Sequence, residues 1–83
     1  MTDITATALL RQNKFTPAKL QQIRRPSGGV VYVATFAGYE YERLLRFKNR
    51  IAGKNIGLVI DEVRRDVSHG TALLMFRVTG VKA

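Results

Sequence analysis

Cysteine is absent from the chain, which excludes disulfide staples and thiolate metal sites as supplements to folding. An 83-residue chain buries only about 60 to 65% of the surface that its unfolded form exposes. Stability must therefore come from close packing or from self-association. A cysteine-free composition suits a reducing compartment, and a cytoplasmic location is expected. Histidine occurs once, as His69, too few for a histidine-based metal centre. No apolar run approaches the roughly 18 residues that a membrane span needs. Asp3, set among Thr and Ala residues, is unlike the basic and apolar start of a signal peptide. Neither secretion nor membrane insertion is expected.

Acidic residues are also scarce. Six Asp and Glu stand against fourteen Lys and Arg, a formal net charge of +8. Such a field attracts nucleic acid, anionic lipid or acidic protein surfaces, and it carries no information about fold. With 46% hydrophobic and 24% charged residues, the composition is that of a folded chain and far from the signature of disorder.

Hydrophobic spacing divides the chain into elements. Thr2 to Gln12 carries Ile4, Ala8, Leu9 and Leu10 near helical spacing, with Thr2 or Asp3 as its cap. A second helix is predicted from Pro17 to Arg25: Thr16 is placed as N-cap, Pro17 at the first helical position, and Phe15 stapled to Leu20. Pro26 and the Ser27-Gly28-Gly29 run end it. Val30 to Phe36 is rich in β-branched and aromatic residues and reads as a strand. Tyr39 to Ala52 reads as an amphipathic helix stopped by Gly53 and Asn55. Ile56 to Val67 and Thr71 to Val81 read as strands joined through Ser68-His69-Gly70. The apolar alternation of the first shifts at Asp61-Glu62, the mark of a bulge or twist.

The expected fold is therefore a two-layer α+β domain with α-α-β-α-β-β order, a three-stranded sheet and helices packed on one face. One domain spans residues 1–83, with a helical N-terminal part over 1–26 and a β-α-β-β part over 29–83. The strand, helix and strand in its centre suggest a right-handed crossover.

The sharpest functional feature lies on the helix from Tyr39. Arg43, Arg46, Arg50 and Lys54 are spaced 3, 4 and 4 residues apart, which puts them on one narrow stripe. Like charges at these spacings repel unless they meet negative charge. Arginine also grips phosphate in a forked, bidentate way and stacks on bases. Phe47 lies angularly between this stripe and the core face, where it is a candidate for stacking on an unpaired base, although an aromatic at helical spacing usually packs. Arg24 and Arg25 border the Pro26-Ser27-Gly28-Gly29 loop, which a phosphate backbone could approach closely. Arg64 and Arg65, near the Ser68-His69-Gly70 turn, with Arg77 on the last strand, form a third basic group, and Asp61 is a partner for Arg64 or Arg65.

These clusters predict a small, basic, non-enzymatic nucleic-acid-binding protein of regulatory or accessory kind. DNA or RNA would be held through its phosphates by Arg43, Arg46, Arg50, Lys54, Arg24, Arg25, Arg64 and Arg65. No catalytic residue, metal or cofactor is expected, and a homodimer is open through the edges of the sheet. A helix-turn-helix reading with Lys19, Gln21, Gln22, Arg24 and Arg25 on a recognition helix is a variant of the same function. The competing class is a protein-interaction module, an inhibitor or adaptor, docking its Arg stripe on an acidic partner. A third reading is a metal-independent ribonuclease of toxin type, for which Tyr39, Tyr41, Arg43, His69 and Arg77 supply the residue types. The glycine loop has neither the Gly-Lys-Ser/Thr of a Walker loop nor the spacing of a dinucleotide fingerprint.

Overall fold

The computed structural model describes residues 2–54 and 56–79. The expected helix α1 forms over Thr2–Gln12. The next element is a strand, β1, over Lys19–Arg24, and it corrects the second predicted helix. Leu20 and Ile23 are spaced like a helix face, and Thr16-Pro17 resembles a helix start, but so short a helix is marginal without strong packing. The strand β2, Val30–Ala37, offers an alternative: six antiparallel pairings, from Lys19 with Thr35 to Arg24 with Val30. The two strands meet at a tight hairpin. The Gly28 amide donates to the Arg25 carbonyl and the Arg25 amide donates to the Gly29 carbonyl, at 2.9 and 2.8 Å. Pro26 starts this turn and Gly28, at φ 97°, closes it in the left-handed region that glycine enters freely.

Beyond β2 a single 3-10 turn, Gly38–Glu40, leads into α2 over Tyr41–Ile51. The last two strands are β3, Leu58–Asp66, and β4, Thr71–Val78. The sheet is four-stranded, in the order β1-β2-β4-β3, and every neighbouring pair is antiparallel. The class is α+β, but the strand count is four rather than three and the element order is α-β-β-α-β-β. The expected strand-helix-strand crossover takes a split form. β2 and β3 run parallel to each other, and β4 lies between them, antiparallel to both.

The core lies between the helices and one face of the sheet. Ala6, Leu9 and Leu10 of α1 and Leu44, Phe47 and Ile51 of α2 meet Tyr32, Ala34 and Phe36 of β2 and Ala72, Leu74 and Phe76 of β4. Phe15, on the link from α1 to β1, stands edge-on to Phe36 at 5.8 Å between ring centres and tilts against Phe47 at 4.9 Å. The shift expected at Asp61-Glu62 is a bulge between Ile60 and Glu62. It keeps the core face apolar: Ile60 is opposite Phe76 before it and Val63 opposite Leu74 after it. Without the extra residue the alternation from Ile60 would turn Glu62 and Arg64 inward.

The opposite face of the sheet carries no helix. The alternation places Lys19, Gln21 and Ile23 of β1, Val31, Val33 and Thr35 of β2, and Leu73, Met75 and Arg77 of β4 on it. Among the described residues no helix is long and apolar enough to cross a membrane.

Candidate nucleic-acid interface

The C-terminal turn of α1 builds one wall of the site. Leu10 accepts from the Phe15 amide at 2.9 Å and Arg11 accepts from the Lys14 amide at 2.9 Å. These are the two bonds of a Schellman cap, in which the residue after the helix turns left-handed. Glycine normally occupies that position; here it is Lys14, at φ 68°. The Asn13 side-chain amide donates to the Leu9 carbonyl at 2.8 Å. The carbonyls of Leu9, Leu10 and Arg11, which would otherwise add to a partial negative charge, are thus occupied.

The other wall is the flank of α2. Arg43, Arg46 and Arg50 line a cleft of about 380 Å³ together with Gln12, Asn13, Lys14 and Phe15. Three cations of the predicted stripe are therefore brought together and a fourth, Lys14, is added from outside the helix. No carboxylate lines this cleft. The guanidiniums differ in how they are held. Arg43 donates to Glu40 Oε1 at 2.9 Å and to the Lys14 carbonyl, and it stacks on the Phe15 ring 4.2 Å from its centre. Arg50 leans over Phe47 at 5.4 Å, while Arg46 and Arg50 form no ion pair among the described residues. Arg43 thus braces the cleft, whereas the guanidiniums of Arg46 and Arg50 have no hydrogen-bond or ion-pair partner among the described residues.

The remaining sequence candidates lie elsewhere. The helix ends at Ile51 and Gly53 is left-handed at φ 78°, so Lys54 leaves the stripe; it borders a separate hollow with Lys48 and Ile51. Arg24 and Arg25 are exposed at the β1-β2 hairpin, and since Lys19–Arg24 is a strand, no recognition helix exists there. Arg64 pairs with Glu62 at 3.0 Å, and Arg65 stacks over Tyr41 at 4.6 Å. Phe47 is fully buried, 0% exposed, so it packs in the core and offers no ring to a base. Asp61 pairs with neither Arg64 nor Arg65. Its two oxygens accept from Arg77 Nε at 3.1 and 3.0 Å, and Oδ1 also accepts from Arg77 Nη2 at 2.8 Å. That pair also holds the Arg77 pKa above its ordinary value, chiefly through the hydrogen bonds to Asp61.

The five residues of the ribonuclease reading do not all fall in one place: Tyr39 lines a hollow at the β3-β4 turn, the turn that also holds His69, and Tyr41, Arg43 and Arg77 do not line that hollow. Arg43 is tied to α1, Tyr41 to Arg65, and Arg77 to Asp61 on the helix-free face of the sheet. His69 Nδ1 lies 2.9 Å from Asp66 Oδ2 and 3.2 Å from Ser68 Oγ. Asp, Ser and His are all present in that turn, but both partners crowd one ring nitrogen, whereas a relay needs one on each. These contacts tie the turn together. The Ser68 hydrogen bond first, and His69 after it, hold the Asp66 carboxyl below the usual carboxylate range. Among the described residues no group of three or more His, Asp or Glu could hold a metal.

A second hollow, of about 330 Å³, lies at the β3-β4 turn, lined by Gly38, Tyr39, Arg65, Asp66, Val67, Gly70 and Thr71. Tyr39 is 86% exposed and Val67 79% exposed, the most solvent-facing large apolar side chains among the described residues. Lys14 is the site residue that sequence reasoning missed, because a lysine in a glycine position gives no local signal. Comparison with protein-family models, with curated proteins and with solved structures gives no match.

Proposed function

We propose that the chain is a small, basic, non-enzymatic nucleic-acid-binding protein, regulatory or accessory in kind, that grips the phosphate backbone of DNA or RNA in the cleft between α1 and α2. The observation that carries this reading is the composition of that cleft. Lys14, Arg43, Arg46 and Arg50 converge on it without a lining carboxylate, and two of the guanidiniums have no internal ion pair among the described residues. Cations held at such spacing repel one another until an anion enters, and a phosphodiester accepts the forked donors of arginine. Affinity is then mostly electrostatic, with modest sequence preference, since phosphate contacts position a ligand without reading its bases. The test is fluorescence anisotropy with labelled single-stranded DNA, duplex DNA and RNA at two salt concentrations. Binding that weakens steeply with salt supports the reading; no binding to any of the three at low salt overturns it.

The exposed Tyr39 and Val67 beside Arg65 favour a second reading, a protein-interaction module. An aromatic and an aliphatic side chain next to a cation form the kind of anchor that protein interfaces use. Binding of that kind depends weakly on salt and strongly on Tyr39.

A further inference from the structure

We propose that the helix-free face of the sheet seats a second copy of this chain, forming a symmetric dimer in which two sheets pack face to face beneath outward-facing helices. Six aliphatic side chains make up the centre of this face: Ile23 of β1, Val31 and Val33 of β2, Val59 of β3, and Leu73 and Met75 of β4. Val31 and Val33, in the middle of the sheet, are each 8% exposed, while Ile23 is 51% and Val59 40% exposed. Soluble monomers rarely expose contiguous apolar surface of this kind, and homodimer interfaces are richer in it than other contacts.

Charge selects the occupant. Of the charged side chains around this apolar centre, Arg77 is neutralised by Asp61 and Arg64 by Glu62, which leaves Lys19 of β1 unpaired among the described residues. A chain of net charge +8 therefore keeps nearly all of its excess charge off this face. An acidic partner is drawn to the α2 flank instead, and nucleic acid finds no aromatic platform here. A second copy matches this neutrality, because two net-positive chains approach most readily where neither carries its excess charge. With the two-fold axis parallel to the strands, β1 lies over β3 of the second copy, where Asp61 and Glu62 are already paired with Arg77 and Arg64, so that only Lys19 adds net charge to the seam, and sheets packed this way stand about 10 Å apart. Both basic clefts then remain free on the outside.

Sedimentation equilibrium and thiol-specific cross-linking test this without nucleic acid. The expected mass is twice the 9.3 kDa of the chain, insensitive to salt, and Met75→Lys yields a monomer with an unchanged circular dichroism spectrum. Because the chain has no cysteine, single introduced cysteines report the geometry even if the lysine variant unfolds: Met75→Cys is cross-linked by a thiol-specific reagent that spans about 10 Å, and Glu42→Cys, on the helical layer, is not. A monomeric wild type, or cross-linking that is equal for the two cysteine variants, overturns the dimer. Arg46→Ala with Arg50→Ala leaves the mass at the dimer value, so loss of nucleic-acid binding and loss of dimerisation are separable.

Discussion

The guanidinium of Arg43 donates to the backbone carbonyl of Lys14, and Lys14 is the one non-glycine residue with positive φ among the described residues, at 68°. The brace of the cleft and its strained corner are thus one contact. A side chain in the left-handed region costs about 1 to 2 kcal/mol. Glycine would remove that cost, but lysine also supplies a cation to the cleft.

Lys14→Gly is therefore expected to stabilise the fold by about 0.5 to 1 kcal/mol, once the looser unfolded chain of a glycine variant is allowed for. At about 4 to 8 °C per kcal/mol for a domain of this size, thermal denaturation shows a Tm several degrees higher. The same variant binds nucleic acid more weakly, with a salt slope lower by about 1. Lys14→Ala keeps the strain and loses the cation, so it weakens binding to the same degree without the gain in Tm.

Arg43 and Arg46 separate bracing from binding. Arg46→Ala leaves Tm within the range of about 0.5 kcal/mol typical of surface changes and reduces the slope of log K against log salt by about 1. Adding Arg50→Ala lowers it by about one more. Arg43→Ala removes the stack on Phe15 and the bond to the Lys14 carbonyl. Because that side chain is partly in solvent, the loss is about 1 kcal/mol, and it is visible in Tm without any ligand.

The Gly38 amide donates to the Gly70 carbonyl at 2.9 Å, and a Cβ on Gly38 would stand 2.9 Å from that same oxygen. Both groups are backbone and neither can swing away. Gly38→Ala must separate the start of the 3-10 turn from the β3-β4 turn, at about 1 to 3 kcal/mol. Chemical denaturation should report that loss, together with quicker amide exchange at position 38.

The elements legible in the sequence are those whose local signals agree with their tertiary setting. The apolar spacing of α2 and its glycine stop mark a helix, and the interrupted alternation around Asp61-Glu62 marks the bulge. β1 was not legible, because Leu20 and Ile23 are spaced like a helix face and the strand is created by its partner: its backbone bonds go to Val30–Thr35. The site divides in the same way. Spacing alone brings Arg43, Arg46 and Arg50 together, whereas Lys14 reaches them through the cap of another helix. The Arg77 to Asp61 pair joins residues sixteen apart, across a register that only the bulge defines.

The β3-β4 turn gives the fold a defined acid response. Asp66 accepts from Ser68 Oγ at 2.8 Å and pairs with His69, and its pKa is lowered from the ordinary 3.8. A carboxyl with a depressed folded-state pKa adds stability that is fully present above its unfolded value and is lost as pH falls through the folded one. Wild type should therefore exceed Asp66→Asn in Tm at neutral pH. The difference should shrink only once pH drops below the usual carboxylate range, and vanish in stronger acid where both side chains are neutral. A Tm series for the two proteins from neutral pH downward measures this. A constant difference across the whole series would mean that the carboxylate charge of Asp66 does not hold the turn.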